Sequence, residues 1–115
     1  MKPLLIIGHR GAKGHAPENT LISFQKALDM GVDGMELDVH LSADNQIMII
    51  HDETVNRTTN GDGFVNQLSL QELKALRIAN EHQIPTLAAV LDLIDRKVFI
   101  NIELKGKHTT KPVVA

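Results

Sequence analysis

The chain has 115 residues, 43% of them hydrophobic, which is enough for one compact domain with its own core and too little for two. Its 12 basic and 14 acidic residues give a net charge of -2, so no positive field favours nucleic acid or an anionic membrane, and neither is expected as a partner. Cysteine is absent, which excludes disulfides and thiolate metal sites.

The first half of the chain alternates between apolar segments and one amphipathic helix. A buried strand is predicted at residues 4–7, a run too short for a signal peptide or a membrane span, so we expect a cytoplasmic protein without stable membrane insertion. A helix follows, with Asn19 as its predicted cap and Gly31 as its stop. Two further strands are predicted at residues 33–39 and 46–50.

The second half begins with a polar, turn-rich segment at residues 52–68. Ser69 and Glu72 then form a capping-box pattern that predicts a short helix, and another helix is predicted from Thr86 to about residue 94. The last predicted strand covers residues 98–104. Strands that alternate with helices predict a parallel sheet, either an open doubly wound sheet or part of a barrel, and periodicity does not choose between them.

Three acidic side chains are predicted to share one face of this sheet. Glu36 and Asp38 alternate with aliphatic residues in one strand, and Glu103 does so in the last strand. Carboxylates about 4 Å apart repel by about 4 kcal/mol per pair at an effective dielectric near 20, so they need a retained proton or a cation. We favour a hard divalent cation, Mg²⁺ or Ca²⁺, over the alternative of a plain solvated strand face.

Basic side chains are predicted at the same rim of the sheet. His9 and Arg10 follow the first strand and His51 follows the third, so the two histidines are candidates for an acid and base pair. Arg10 and Lys105 could bind the oxygens of a phosphodiester. The other histidines lack this placement and are interpreted as structural.

With these residues, the chain resembles the glycerophosphodiester phosphodiesterase family over essentially its whole length. The resemblance is specific because six short motifs agree in order and spacing. They are His9-Arg10-Gly11, Pro17-Glu18-Asn19-Thr20, Glu36-Leu37-Asp38-Val39, His51-Asp52, Arg57-Thr58-Thr59 and Glu103-Leu104-Lys105.

The resemblance implies an α/β fold that is the N-terminal part of a TIM (β/α)8 barrel, with residues 1–115 as a partial phosphodiesterase domain and a small insertion at about residues 52–84. It implies hydrolysis of small-molecule glycerophosphodiesters, derived from deacylated phospholipids, to glycerol 3-phosphate and an alcohol. The implied metal ligands are Glu36, Asp38 and Glu103, the implied acid and base are His9 and His51, and the implied phosphate contacts are Arg10 and Lys105.

The length of the chain departs from the family, because a whole barrel needs about 250 residues and a truncated chain lacks the later loops. The family also often has glycine where this chain has Asn45. An alternative is therefore a non-catalytic half-barrel that binds phosphate or a protein partner, or that forms a homo-oligomer through exposed barrel edges. A binuclear zinc hydrolase is less favoured, because Arg10 and Gly11 follow His9 instead of a second histidine spaced by one residue.

Overall fold

A computed structural model describes residues 6–104 of the chain. Lys105, one of the two predicted phosphate contacts, therefore lies outside the described residues. The elements follow in the order β1 (Ile7–His9), α1 (Leu21–Asp29), β2 (Gly34–Leu41), β3 (Ile47–Ile49), a 3-10 turn (Val65–Gln67), α2 (Leu70–Ala75), α3 (Leu87–Ile94) and β4 (Phe99–Leu104). Most of them lie within two residues of their predicted positions. Residues 4 and 5 of the first predicted strand lie outside the described residues, and the described part of the chain has its first strand at Ile7–His9.

The sheet is built around β2. β1 pairs with it in parallel, with Gly8 opposite Met35, and β4 also pairs with it in parallel, with Ile102 opposite Leu37. The expectation of a parallel sheet is wrong for β3, which runs antiparallel to β2. The physical reason is the short link at residues 42–46, because parallel neighbours need a crossover of about a dozen residues or more.

One face of β2 supplies the main core. Met35, Leu37 and Val39 are fully buried there, as the alternation of side chains predicts. They pack against a layer of residues from the two longer helices, namely Phe24, Ala27, Leu87, Val90 and Ile94. Each large aliphatic side chain buried in this way contributes roughly 1.5 to 3 kcal/mol to the stability of the fold. Because the helices cover this face, the opposite face of the sheet is left for polar residues.

A second core lies under the segment between β3 and α3. Its buried members are Met48, Ile50, Val55, Val65, Leu73, Ile78 and Ile84. The predicted capping box of α2 is present, because Ser69 and Glu72 exchange hydrogen bonds. This part of the chain has its own apolar centre, and its assignment as an insertion at residues 52–84 stays a prediction.

The cap of α1 differs from the prediction by one residue. Thr20, not Asn19, caps the helix, because its side chain accepts a hydrogen bond from the backbone N–H of Ser23 while the Ser23 hydroxyl accepts one from Thr20. Asn19 has a left-handed φ of 56° and turns its side chain toward the sheet instead. Within the described residues, no helix has both the length and the apolar character needed to cross a bilayer.

Candidate active site

The three acidic side chains meet on the polar face of the sheet. Glu36 and Asp38 lie two positions apart on β2, and Glu103 lies directly across from Asp38 on the parallel strand β4. Carboxylate oxygens of the three residues all lie within 4.8 Å of one another. The convergence expected from strand alternation is therefore present in the structure.

Asp38 is the most deeply placed of these acids, with no solvent exposure. One of its oxygens, Oδ2, accepts a hydrogen bond of 3.1 Å from the side-chain amide of Asn19 and lies 3.5 Å from Nε of Arg10. The other, Oδ1, is buried without a hydrogen-bond partner among the described residues. A buried carboxylate oxygen is costly in that state, so the donor set fits a hard cation that would satisfy it.

Arg10 leaves β1 in an uncommon backbone conformation. Its φ is 52°, and the left-handed turn continues through Gly11 at 79°. The backbone N–H of Arg10 donates to the Glu36 carbonyl at 2.9 Å, and its own carbonyl accepts from Asn19 at 2.9 Å. Such a conformation costs about 1 to 3 kcal/mol outside glycine and is held by these bonds. It places the guanidinium beside Asp38 and within 3.1 Å of Glu18.

His9 lies at the edge of the acidic cluster. It is paired with Glu36 across the two parallel strands, and its Nε2 lies 3.4 Å from a Glu36 carboxylate oxygen. About half of the side chain is exposed, at 52%. The imidazole is therefore both in contact with the acidic group and accessible to a molecule in solution.

His51 reaches the site by a different route from the one predicted. The sequence suggested the end of a parallel strand, but the hairpin of β2 and β3 carries the chain back toward the sheet centre, where the Ile50 N–H donates to the Asp38 carbonyl at 3.0 Å. His40, buried on β2, donates from Nε2 to the His51 carbonyl at 3.0 Å. The His51 ring lies next to Asp52, with 2.8 Å between Nδ1 and Oδ1.

A guanidinium joins the segment after β3 to the loop before α1. Arg57 donates two hydrogen bonds of 3.0 Å to Glu18, and bonds of 2.8 and 3.0 Å to Asp52. The bonds from Arg57 are the main cause that lowers the pKa of Asp52 below its usual range, against the effect of partial burial, and the His51 bond adds to them. Burial raises the pKa of Glu18, but the bonds from Arg57 and the charges of Arg57 and Arg10 outweigh it, and the net change lowers this pKa.

The pKa of Arg57 is raised in turn, first by its hydrogen bond to Asp52 and then by the one to Glu18. All three groups are therefore charged at neutral pH. Glu18 is only 10% exposed, while half of Arg57 is exposed.

Reasoning from residue patterns gave no role in the active site to five residues that contact it. Alternation along β2 places His40 on the face of Glu36 and Asp38, so that signal was available. The other four contacts join residues far apart in the sequence or depend on loop conformation, and only their presence in the family motifs pointed to them. These residues are Glu18, Asn19, Asp52 and Arg57.

Comparison with known proteins gives one consistent result. Residues 9–114 match the model of the glycerophosphoryl diester phosphodiesterase family. A glycerophosphodiester phosphodiesterase from Caldanaerobacter subterraneus is 47% identical over 111 aligned residues, in an alignment that covers 89% of this chain and 45% of that protein.

Solved structures agree with the sequence matches. A glycerophosphodiester phosphodiesterase from Agrobacterium tumefaciens superposes with a TM-score of 0.89 at 38% identity, over 96% of this chain and 51% of its own. A phosphodiesterase from Oleispira antarctica, in complex with the product sn-glycerol-3-phosphate, gives 0.85 at 39% identity, over 89% and 44%. The chain thus spans about half the length of the relatives it matches, and its fold is part of a TIM barrel.

Proposed function

Because the chain belongs to the glycerophosphoryl diester phosphodiesterase family, we propose that it supplies the catalytic half of an enzyme that hydrolyses glycerophosphodiesters to glycerol 3-phosphate and an alcohol. The observation that carries the proposal is the meeting of three carboxylates within 4.8 Å, beside an arginine and a histidine. The product bound to the Oleispira relative is consistent with this substrate class.

Glu36, Asp38 and Glu103 would hold the divalent cation, Mg²⁺ or Ca²⁺. Support comes from the donor set, because carboxylate oxygens of these three residues lie within 4.8 Å of one another and hard divalent cations prefer oxygen ligands. Oδ1 of Asp38, which has no hydrogen-bond partner among the described residues, supports the same assignment. When bound, such a cation neutralises charge on the phosphodiester and polarises its P–O bonds.

Arg10 would contact the phosphate directly, and Lys105, which lies outside the described residues, would do so as a second positive charge. The guanidinium fork of an arginine matches two phosphate oxygens, and its electrostatic effect is larger where water is excluded. Arg10 is only 13% exposed and is held by Glu18, so little ordering is needed when substrate binds.

The two histidines would move the protons. In this proposal His9 takes the proton of the glycerol hydroxyl next to the phosphodiester, and that oxygen forms a bond to phosphorus. The bond from phosphorus to the departing alcohol breaks, and His51 gives that alcohol its proton. Water then opens the cyclic phosphate. Each such group contributes roughly 10²- to 10⁴-fold in rate, and an internal nucleophile adds the advantage of proximity.

A second candidate is a non-catalytic half-barrel that binds phosphate or a partner, or that pairs with a second copy of itself. The observation in its favour is that apolar residues on the strands are partly exposed, at 48% for Ile7 and 45% for Phe99. A cytoplasmic location stays a prediction.

Turnover of a glycerophosphodiester tests the proposal. The 115-residue chain and a chimera that joins it to the rest of the Caldanaerobacter relative are assayed with Mg²⁺, with Ca²⁺ and with a chelator. The chimera should lose activity on chelation, and His51→Ala should lower its kcat at least 10²-fold. His15→Ala, at an exposed histidine, is the matched control. Unchanged turnover after chelation, or in the His51 variant, would overturn the proposed roles.

A further inference from the structure

A continuous set of hydrogen bonds runs from His51 to Arg10 through three residues with no assigned role. Asp52 contacts His51, Arg57 joins Asp52 to Glu18, and Glu18 also binds Arg10. Every heavy-atom distance in this set lies between 2.8 and 3.1 Å. The first and last members are the proposed proton donor and the proposed phosphate ligand.

The contact with Asp52 decides which nitrogen of His51 carries the proton. A charged carboxylate can only accept, so Nδ1 of His51 must donate across the 2.8 Å contact. In the neutral ring the other nitrogen, Nε2, then has a free lone pair and can accept a proton, and in the charged ring it can give that proton away. The carbonyl of His51 is fixed independently by His40, so both the backbone and the ring have defined partners.

Arg57 fixes the orientation of the Asp52 carboxylate. Its Nε and one terminal nitrogen bind both oxygens of Asp52, a paired geometry that fixes the plane of the carboxylate. The same terminal nitrogen and the other one bind Glu18, which is largely buried. The exposed segment after β3 is thereby tied to the loop before α1, on the side of the site where Arg10 lies.

We propose that Asp52 is a positioning residue that holds His51 in the tautomer protonated on Nδ1, and that Arg57, anchored on Glu18, holds Asp52 in the orientation this requires. The role of this tautomer in catalysis rests on the proposed function, but the presence of the tautomer in the folded chain does not. The arrangement also means that His51 and Arg10 share one anchor, because Glu18 binds both Arg57 and Arg10.

The tautomer is measured by ¹⁵N nuclear magnetic resonance of the His51 ring in the folded 115-residue chain, at an alkaline pH where the ring is neutral. We expect the Nδ1-protonated form to predominate. In Asp52→Asn the two donors of Arg57 compete for the single amide oxygen and leave the NH₂ group facing Nδ1, so the Nε2-protonated form should predominate. Arg57→Gln should give a mixture, because Asp52 is no longer held.

Glu53→Gln, next to Asp52 and exposed, is the matched control and should leave the spectrum unchanged. A wild-type ring protonated mainly on Nε2 would overturn the proposal without any variant, and so would an unchanged tautomer in folded Asp52→Asn. In the chimera, Asp52→Asn should lower kcat at least 10²-fold with KM within about threefold, because substrate contacts remain.

Failure of this inference and failure of the proposed function give different results. If the inference fails, the ring spectrum differs from the expected one whatever the activity. If only the proposed function fails, the spectrum is as expected and the chimera hydrolyses no phosphodiester with any cation.

Discussion

At Asp38, burial and charge act against each other. The side chain has no exposure, and within residues 6–104 it has one hydrogen bond from Asn19 and a longer contact with Arg10. Burying a carboxylate costs several kcal/mol unless its remaining lone pairs are satisfied. The two acids beside it raise that cost further, and a bound cation is the simplest way to offset it.

The acids joined by Arg57 predict a loss of stability in acid. Asp52 and Glu18 both have lowered pKa values in the folded chain, so each stabilises the fold above its ordinary pKa, about 3.9 for aspartate and 4.3 for glutamate. This stabilisation begins to be lost as pH falls below about 4, and the loss continues down to the lowered pKa values of the folded chain. The free energy of unfolding in urea, measured from pH 6 to pH 3, should therefore fall more steeply in the wild type than in Asp52→Asn. If the free energy of unfolding fell equally steeply with pH in the two proteins, the stabilising role of the charged Asp52 would be contradicted.

At the scale of elements, the turn between β1 and α1 depends on the close approach of the Gly11 backbone to helix α1. Gly11 has a φ of +79°, and a Cβ there would lie 2.8 Å from the Ser23 carbonyl carbon and 2.9 Å from the Phe24 nitrogen. The turn must be this tight because the Ala12 N–H donates to the Ser23 carbonyl at 3.0 Å. Arg10 enters the site from this turn, so its position depends on glycine at the next residue.

Two glycine variants separate strain from contact. Gly14 has a similar φ of +97°, but nothing lies within 4 Å of a Cβ there. Gly14→Ala should cost only the left-handed conformation, about 1 to 2 kcal/mol, while Gly11→Ala should cost more because α1 must move. Thermal and urea unfolding of both variants would measure the difference. The same loss of stability in the two would show that the approach to α1 is not important.

The elements differ in how well their sequence predicts them. Strand alternation in β2 and β4 was sufficient to place Glu36, Asp38 and Glu103 on one face, because side-chain direction follows from the backbone alone. The direction of β3 was missed although the short turn at residues 42–46 already required a hairpin. The cap of α1 was misplaced because Asn19 and Thr20 are both good caps, and only the contact with Asp38 separates them.

At the scale of the whole molecule, two hydrophobic cores among the described residues position different parts of the candidate site. The layer between the sheet and the two longer helices fixes β2 and β4, and thus the acids. The second core fixes the segment from β3 to α3, and thus His51. Arg57 and Glu18, 39 positions apart, join the two parts, which no local pattern in the sequence could show.

Binding of a divalent cation by the 115-residue chain is the measurement that tests the account most directly, because all three proposed ligands belong to this chain. Titration calorimetry with Mg²⁺ and with Ca²⁺ should show one ion bound per chain. Binding should be lost in Asp38→Asn and in Glu103→Gln, each shown to be folded by circular dichroism, and kept in Asp92→Asn, at an exposed carboxylate on α3. A folded chain that binds neither cation, or binds one equally well in the Asp38 and Glu103 variants, would contradict it.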